Sequence, residues 1–479
     1  LTKFIVALLA GLYGFCSAVT AAELPDIGSS SSQVFSLVDE QALGDDYMRQ
    51  LRAIAPIVND AEINDYIQHL GFKLVENNPN AQDRQFSFFV IRERTINAFA
   101  LPGGYIGIHT GLITKSQTES ELASVLSHEV AHVTQRHLAR RLELQNQLTI
   151  PTLAAFAAAI LIASQARNSE TGIGAMASAQ GLAQQALINH TRSNEAEADR
   201  IGISTLYRAG FDPQGAISFF EKMQENTRYN SNAFEFLRTH PLSRSRITDA
   251  RLRANEYPTR RIRDPLKYHL IKEKVNAITT KVSPVTVERQ ERLFKDGKIS
   301  TPAQLYGYAI FMMRAKKFEV AEKILNNLRF SDAKQSSYAI ALAQLNIERK
   351  MPSKSVPVIE KMLLQSPGNQ ALVETLAELY LANNQFEEAR ELLLSNVHMT
   401  EYAPYLLKLL AEAQEGSGRR SEVYETEGNF LLAMGDLGGA RLQFEQALNV
   451  HTDDPYARSR INSQINRIRE YLRQRSLRN

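Results

Sequence analysis

Tryptophan is absent from this 479-residue chain and cysteine occurs once, at Cys16. That cysteine lies in the N-terminal stretch LTKFIVALLAGLYGFCSAVTAAELPDIG, where Lys3 precedes an apolar run from Phe4 to about Val19 and small residues follow near Ala21 and Ala22. A basic start, an apolar middle and a small-residue cleavage zone predict a secretory signal peptide over residues 1–22. A retained membrane anchor is the alternative, because the run approaches the ~18 residues a span needs. Tyr13 and Phe15 stand where a lipoprotein would carry small residues before its cysteine, which argues against lipidation. Without the signal no cysteine remains, so disulfides are excluded and any metal site must use His, Asp or Glu. An exported, cysteine-free chain suits the bacterial periplasm.

A strong charge of either sign is also missing. Lys and Arg number 55 against 52 Asp and Glu, for a net charge of +3. Nothing in that balance points to nucleic acid as a partner. An apolar share of 44% with 22% charged residues fits a folded protein, and the length predicts two or three cores. Beyond the N-terminus the most apolar run is LTIPTLAAFAAAILIAS, residues 148–164. Pro151 and the short length favour a buried or interface hairpin with the following GIGAMASAQGLAQQAL over a membrane span.

Apolar residues at helical intervals (Leu51, Ile54, Ile57, then Ile63, Tyr66, Ile67, Leu70) predict helix over 45–78. QFSFFVIRERTINAFALPGGYIGIHTGLI reads as short strands joined by a tight turn at Pro102-Gly103-Gly104. Thr118 with Glu121 forms a capping-box pattern opening the next helix. A further helix is expected from about Asn194 to Ala209, closed by Gly210 and Asp212-Pro213. YPTRRIRDP, 257–265, looks like a domain boundary. Beyond 300, Leu305, Ala339 and Val373 recur 34 apart, as do Ala309, Ala343 and Ala377, with Ala321 and Ala389 in matching second helices. That is the tetratricopeptide period. Tyr424, Gly428, Leu431, Ala440, Phe444 and Ala447 suggest a further unit out of phase, so 398–423 is expected to hold an irregular or partial one.

The chemistry-bearing stretch is VLSHEVAHVT, 125–134. Four residues return a helix to the same face, so His128 and His132 can direct imidazole nitrogens at one ion, as zinc prefers. Glu129 is rotated off that axis and can act as general base on a water activated by the metal. A third ligand should be an acid or His on a neighbouring element. SNEAEADRIG offers Glu195, Glu197 and Asp199, of which Glu195 and Asp199 share a face. One of that pair can complete the shell while the other orients a ligating His. His240, in LRTHPLSRSRI, is a further candidate, whereas His109 and His137 read as structural or surface residues. The tail arginines Arg467, Arg469, Arg473, Arg475 and Arg478 are expected to coat an exposed helix, with an acidic partner or peripheral membrane contact as the alternative.

HEVAH followed by NEAEAD, with NAFALPGG upstream, resembles the gluzincin metallopeptidases of the CAAX-prenyl-protease and HtpX type. The resemblance implies one zinc ion per chain held by His128, His132 and Glu195, with Glu129 as catalytic base and Asp199 orienting His128. It implies that Asn97, Ala98, Phe99 and Ala100 form an edge strand pairing with substrate backbone. It also implies a site role for His240, either plugging the metal or stabilising the oxyanion. The expected fold is mainly α: an α+β zincin-like domain with a small sheet, then an α-solenoid of tetratricopeptide repeats. The expected divisions are a signal peptide to 22, the metallopeptidase domain 23–260, a helical connector 261–300 and the repeat domain 301–479.

With the export signal and the array, the resemblance implies a periplasmic endopeptidase. It would promote assembly of outer-membrane β-barrel proteins and degrade misassembled ones. Its partners would be unfolded or stalled barrel proteins and, through the repeats, the β-barrel assembly machinery. A chaperone or adaptor with proteolysis secondary is the competing reading. An integral-membrane relative, resting on 148–164, is the third.

Overall fold

A computed structural model describes residues 36–145, 170–227, 236–258, 260, 262–401, 403–450 and 454–478. The expected signal peptide and the apolar 148–164 run lie outside those residues. Among the described residues no helix is long and apolar enough to cross a membrane.

The expected helix over 45–78 is two helices. Leu37–Ile54 (α1) starts at Ser36, whose hydroxyl accepts from Asp39 N while Asp39 answers Ser36 N. Its last residues run into Pro56, which cannot continue a helix. Ala61–Glu76 (α2) restarts at Asp60, whose carboxylate caps Ile63 N. Three short strands follow, Ser87–Ile91 (β1), Ala98–Ala100 (β2) and Tyr105–His109 (β3), in the order β1-β3-β2. The central β3 runs parallel to β1, pairing Ser87 with Tyr105, and antiparallel to β2, pairing Ala98 with Ile108. The turn into β3 needs glycine: Gly103 and Gly104 have φ of 70° and 78°, and a Cβ on Gly104 would lie 1.9 Å from Gln85 O. Val58 N donates to Val90 O on the outer side of β1. On the outer side of β2 no strand pairs among the described residues.

Thr110–Lys115 (α3) leads to Glu119–Thr134 (α4). Thr118 caps α4 by accepting from Glu121 N, but the reciprocal half of the expected box is missing. Glu121 instead accepts from Gln117 N, Ser218 and Lys222, because those donors reach its buried carboxylate. Residues 137–145 form a further helix (α5). The helix expected from Asn194 begins far earlier, spanning Glu170–Arg208 (α6), since the Ala-rich segment before it also favours helix. It ends at Gly210, with φ of 88°. Gln214–Thr227 (α7), the short Phe236–Thr239 (α8) and Arg244–Asn255 (α9) complete this region. Its core joins Ile63, Ile67 and Leu74 of α2, Leu122 and Leu126 of α4, and Val90, Ile106 and Ile108 of the sheet.

Leu266–Thr279 (α10) belongs to two cores at once. Tyr268, Ile271 and Val275 pack into the first, while Leu270 and Ala277 pack with the repeats. Pro284–Lys295 (α11) follows, then ten further helices: Pro302–Arg314 (α12), Phe318–Ser331 (α13), Ser336–Glu348 (α14), Val356–Gln365 (α15), Gln370–Ala382 (α16), Phe386–Ser395 (α17), Tyr405–Gly416 (α18), Arg420–Met434 (α19), Leu437–Val450 (α20) and Pro455–Arg478 (α21). Ala309, Ala343, Ala377, Ala321 and Ala389 are fully buried where paired helices approach.

The region 398–423 opens with a 3₁₀ turn, Val397–Glu401, but the repeat phase carries through it. Left-handed residues close the first helix of each hairpin at Lys316, Lys350, Asn384 and Gly418, a constant spacing of 34. A fourth hairpin, α18 and α19, therefore stays in phase. The Tyr424 pattern looked out of step because α19 also packs closely on α20. Ile461, Ile465 and Ile468 form the buried stripe of α21, and Arg467, Arg469 and Arg473 are exposed.

Candidate metal centre

Helices α4 and α6 cross at Gly202, where an added Cβ would come within 3.2 Å of His128 Cα and N. The absent side chain lets the two backbones approach, and three polar side chains converge from them. His128 Nε2 lies 2.9 Å from His132 Nε2. The Glu195 oxygens stand 3.4 Å from each of those nitrogens. His240, just after α8, adds a fourth donor: its Nδ1 is 3.3 Å from His128 Nε2 and 3.1 Å from Glu195 Oε1. All four donor atoms fall within 4.8 Å of one another. A tetrahedral zinc shell with bonds of ~2.0–2.1 Å places neighbouring donors about 3.3 Å apart, so the spacing suits such an ion.

The surroundings also fit a cation. Glu129, Glu195 and Asp199 are buried, and the buried counter-cation beside them is Arg246. Both Glu129 oxygens are buried without a hydrogen bond, and His240 Nε2 stands 3.4 Å from Oε1. A carboxyl group left so is costly unless a ligand or reacting group uses it.

Each histidine of α4 is supported from behind. His128 Nδ1 meets Asp199 Oδ1 at 3.0 Å, and Arg246 grips both Asp199 oxygens at 2.7 and 2.8 Å. Arg246 also reaches Glu195 Oε2 at 2.9 Å and Pro241 O at 2.8 Å, tying the His240 segment to the ligand helix. His132 Nδ1 meets His137 Nδ1 at 2.7 Å. His137 Nε2 lies 3.2 Å from Glu197 Oε2, which Arg140 holds at 2.6 Å.

Burial opposes charge on His128, but Asp199 and Glu195 outweigh it and push the imidazole up to about 10. Burial and then the His128 charge drive His132 well below its ordinary value. Burial alone would raise Glu195, yet bonds from His128 and His240 hold it far below the usual carboxylate range. Burial and Arg140 push His137 down to about 4. The two α4 histidines thus differ in proton affinity, because the carboxylates outweigh burial at His128 whereas burial and the His128 charge prevail at His132.

The cleft beside the centre has a volume of about 220 Å³ and is walled by Phe99 and Ala100 of β2 together with Glu129, His132 and His240. Asn97 stands before β2, buried, with an unpartnered Oδ1. His109 is buried on β3 against Thr95 and away from the donors, as a structural histidine would be. His137 is no surface residue: it sits against His132. Of the structural and surface readings, its burial favours the structural one. The helix ends at Thr134, and Arg136, with φ of 53°, turns the chain so that His137 returns to His132. Arg246 and Glu197 carried their signal in the sequence, as the second arginine after His-Pro and the middle acid of NEAEAD, but their partners were not legible.

A model of peptidase family M48 matches residues 61–254, and one for the tetratricopeptide repeat matches 347–395. A chain of Vibrio cholerae is 37% identical over 450 residues, 93% of this chain and 92% of its own length. The beta-barrel assembly-enhancing protease of Escherichia coli is 35% identical over 81% of this chain and 79% of its own. The mitochondrial metalloendopeptidase OMA1 of Schizosaccharomyces pombe is 32% identical over 34% of this chain and 45% of its own.

Proposed function

The chain belongs to peptidase family M48 and is a metallopeptidase, and on that premise we propose a zinc-dependent endopeptidase acting in the periplasm. In this reading it promotes assembly of outer-membrane β-barrel proteins, in line with the name of its Escherichia coli relative, and it also degrades misassembled ones. One observation carries the reading: four donors within 4.8 Å beside a buried carboxyl group with no hydrogen bond.

His128, His132 and Glu195 hold the zinc, a nitrogen and oxygen set suited to that ion. Bound there, zinc supplies Lewis acidity to the scissile carbonyl and to water. Glu129 takes the attacking water's proton and returns it to the leaving amine. Asp199 accepts the distal N–H of His128 and so fixes its ring, with Arg246 fixing Asp199. Ala98, Phe99 and Ala100, led in by Asn97, hold substrate as an added strand. Among the described residues the outer side of β2 is unpaired, and that edge and its place in the cleft wall support that role. Unfinished barrel proteins, rich in unpaired strands, suit such an edge. His240 Nδ1 stands as a fourth donor, which favours the plug over the oxyanion role.

The test joins zinc content with cleavage of an unfolded barrel precursor, for wild type and Glu129→Gln. Wild type should hold one zinc and cleave; the variant should hold it and lose about 10²–10⁴ in rate. A variant that cleaves normally refutes Glu129 as base, and a zinc-free wild type refutes the centre. The chaperone reading draws on the repeat array. It gains if Glu129→Gln still promotes barrel assembly.

A further inference from the structure

We propose that His137 is a positioning residue for the metal centre, setting the tautomer of His132 through a two-imidazole relay anchored by Glu197 and Arg140. The inference rests on the zinc reading above and extends it to a residue outside the donor set.

The proton bookkeeping follows from the end of the chain. Arg140 holds Glu197 as an ionised acceptor at 2.6 Å. Glu197 faces His137 Nε2 at 3.2 Å and can only accept, so Nε2 carries the hydrogen. Two ring nitrogens 2.7 Å apart need one N–H and one lone pair, and a His132 that ligates through Nε2 carries its N–H on Nδ1, so His137 Nδ1 is the acceptor. His132 is left with its lone pair on Nε2, the atom aimed at His128, Glu195 and His240. The ring is fixed in direction and tautomer together, which a metal ligand needs.

Each α4 histidine thus has its Nδ1 held, by a different route. His128 has a carboxylate directly behind it, backed by Arg246. His132 projects a turn later, and its Nδ1 meets His137 rather than a carboxylate, so an interposed imidazole spans the gap to Glu197. The left-handed Arg136 makes this possible by folding His137 back over the end of α4. Glu40 grips the Arg136 side chain at 2.6 Å, tying that turn to α1.

The experiment uses the full chain and zinc itself, in competition with a chromophoric chelator. His137→Phe keeps the ring and removes both polar atoms, and should weaken zinc binding by about 10–100-fold. His137→Asn restores an acceptor near the Nδ1 position and should recover most of that loss. Glu197→Gln, whose amide oxygen still accepts from His137, should fall between wild type and His137→Phe. A purely structural role would lower the melting point of the zinc-free protein equally in His137→Phe and His137→Asn, and zinc affinity would not follow the acceptor. A folded His137→Phe binding zinc as tightly as wild type overturns the relay alone. A wild type no tighter than His128→Ala overturns the centre and the relay with it. Should His137→Phe fail to fold, histidine-labelled wild type decides. Its ¹⁵N couplings should show Nδ1–H on His132 and Nε2–H on His137, and the opposite pair overturns the proposal.

Discussion

Glu62 joins the peptidase region to the repeats, and replacing it is the sharpest stability test. The residue lies on α2 with 1% of its surface exposed. Its Oε1 accepts from Lys267 Nζ at 2.7 Å and from the Ser337 hydroxyl, and its Oε2 from Lys274 Nζ at 3.0 Å and Tyr306 OH at 2.8 Å. Those donors sit on α10, α12 and α14, so one carboxylate ties four helices. Glu62→Ala leaves Lys274, 2% exposed, with Asp60 at 2.9 Å as its remaining carboxylate, and strips a buried tyrosine of its acceptor. Removing one partner of a buried ion pair costs about 3–5 kcal/mol. Lys267 is exposed enough to return to water and adds little. At about 2–4 °C per kcal/mol for a unit of roughly 200 residues, the melting transition should fall by roughly 6–20 °C. Pairing Glu62→Leu with Lys274→Met should recover most of that loss, since both charges of the buried pair are then gone.

Acid gives the same test an independent axis. Burial alone would raise the Glu62 carboxyl, but Lys267 and Lys274 outweigh it and hold the group well below its usual range. A carboxyl depressed in the folded state contributes above its unfolded pKa of about 4.3, and that contribution fades as pH falls. The gap between wild type and Glu62→Ala should therefore be full at pH 7 and shrink below about pH 4. Thermal unfolding followed by circular dichroism measures both. A melting point within about 2 °C of wild type at pH 7 would show that water reaches the network, and the buried-clamp argument would fail.

His240→Ala should raise cleavage, because the hydrogen bonds holding the fourth donor against Glu195 are lost. One bond to a charged group is worth about 1.5–3 kcal/mol, which sets the rise at roughly 10–100-fold in initial rate. A fall would favour the oxyanion role instead, and no change would sink both. Gly202→Val should push α4 from α6 and weaken zinc retention against a chelator, with Gly202→Ala between it and wild type. Undiminished retention in the valine variant would show that this close approach does not set the donor spacing.

Much of the fold was legible because it is periodic. Alanine at 309, 343 and 377 announced the array, and the structure buries each of them completely. The fourth hairpin escaped notice because its phase marker is a backbone angle at Gly418 rather than a side chain. Element ends were less legible for a similar reason. Glu121 matched a capping box by spacing, but Lys222 and Ser218, a hundred residues on, compete for its carboxylate. Propensity does not register a partner that distance in sequence hides.

The centre divides along the same line. His128, His132, Glu195 and Asp199 could be singled out because each pair obeys the four-residue spacing of one helix. His137 and Arg246 could not be placed that way, since each acts across a chain reversal, one at Arg136 and the other after Pro241. Local periodicity discloses which groups can touch the ion. What sits behind them depends on how helices meet, and here Gly202 brings α6 against His128 while Arg136 brings His137 against His132. The residues most informative about holding the ligands still are thus the ones whose own side chains carry no metal chemistry.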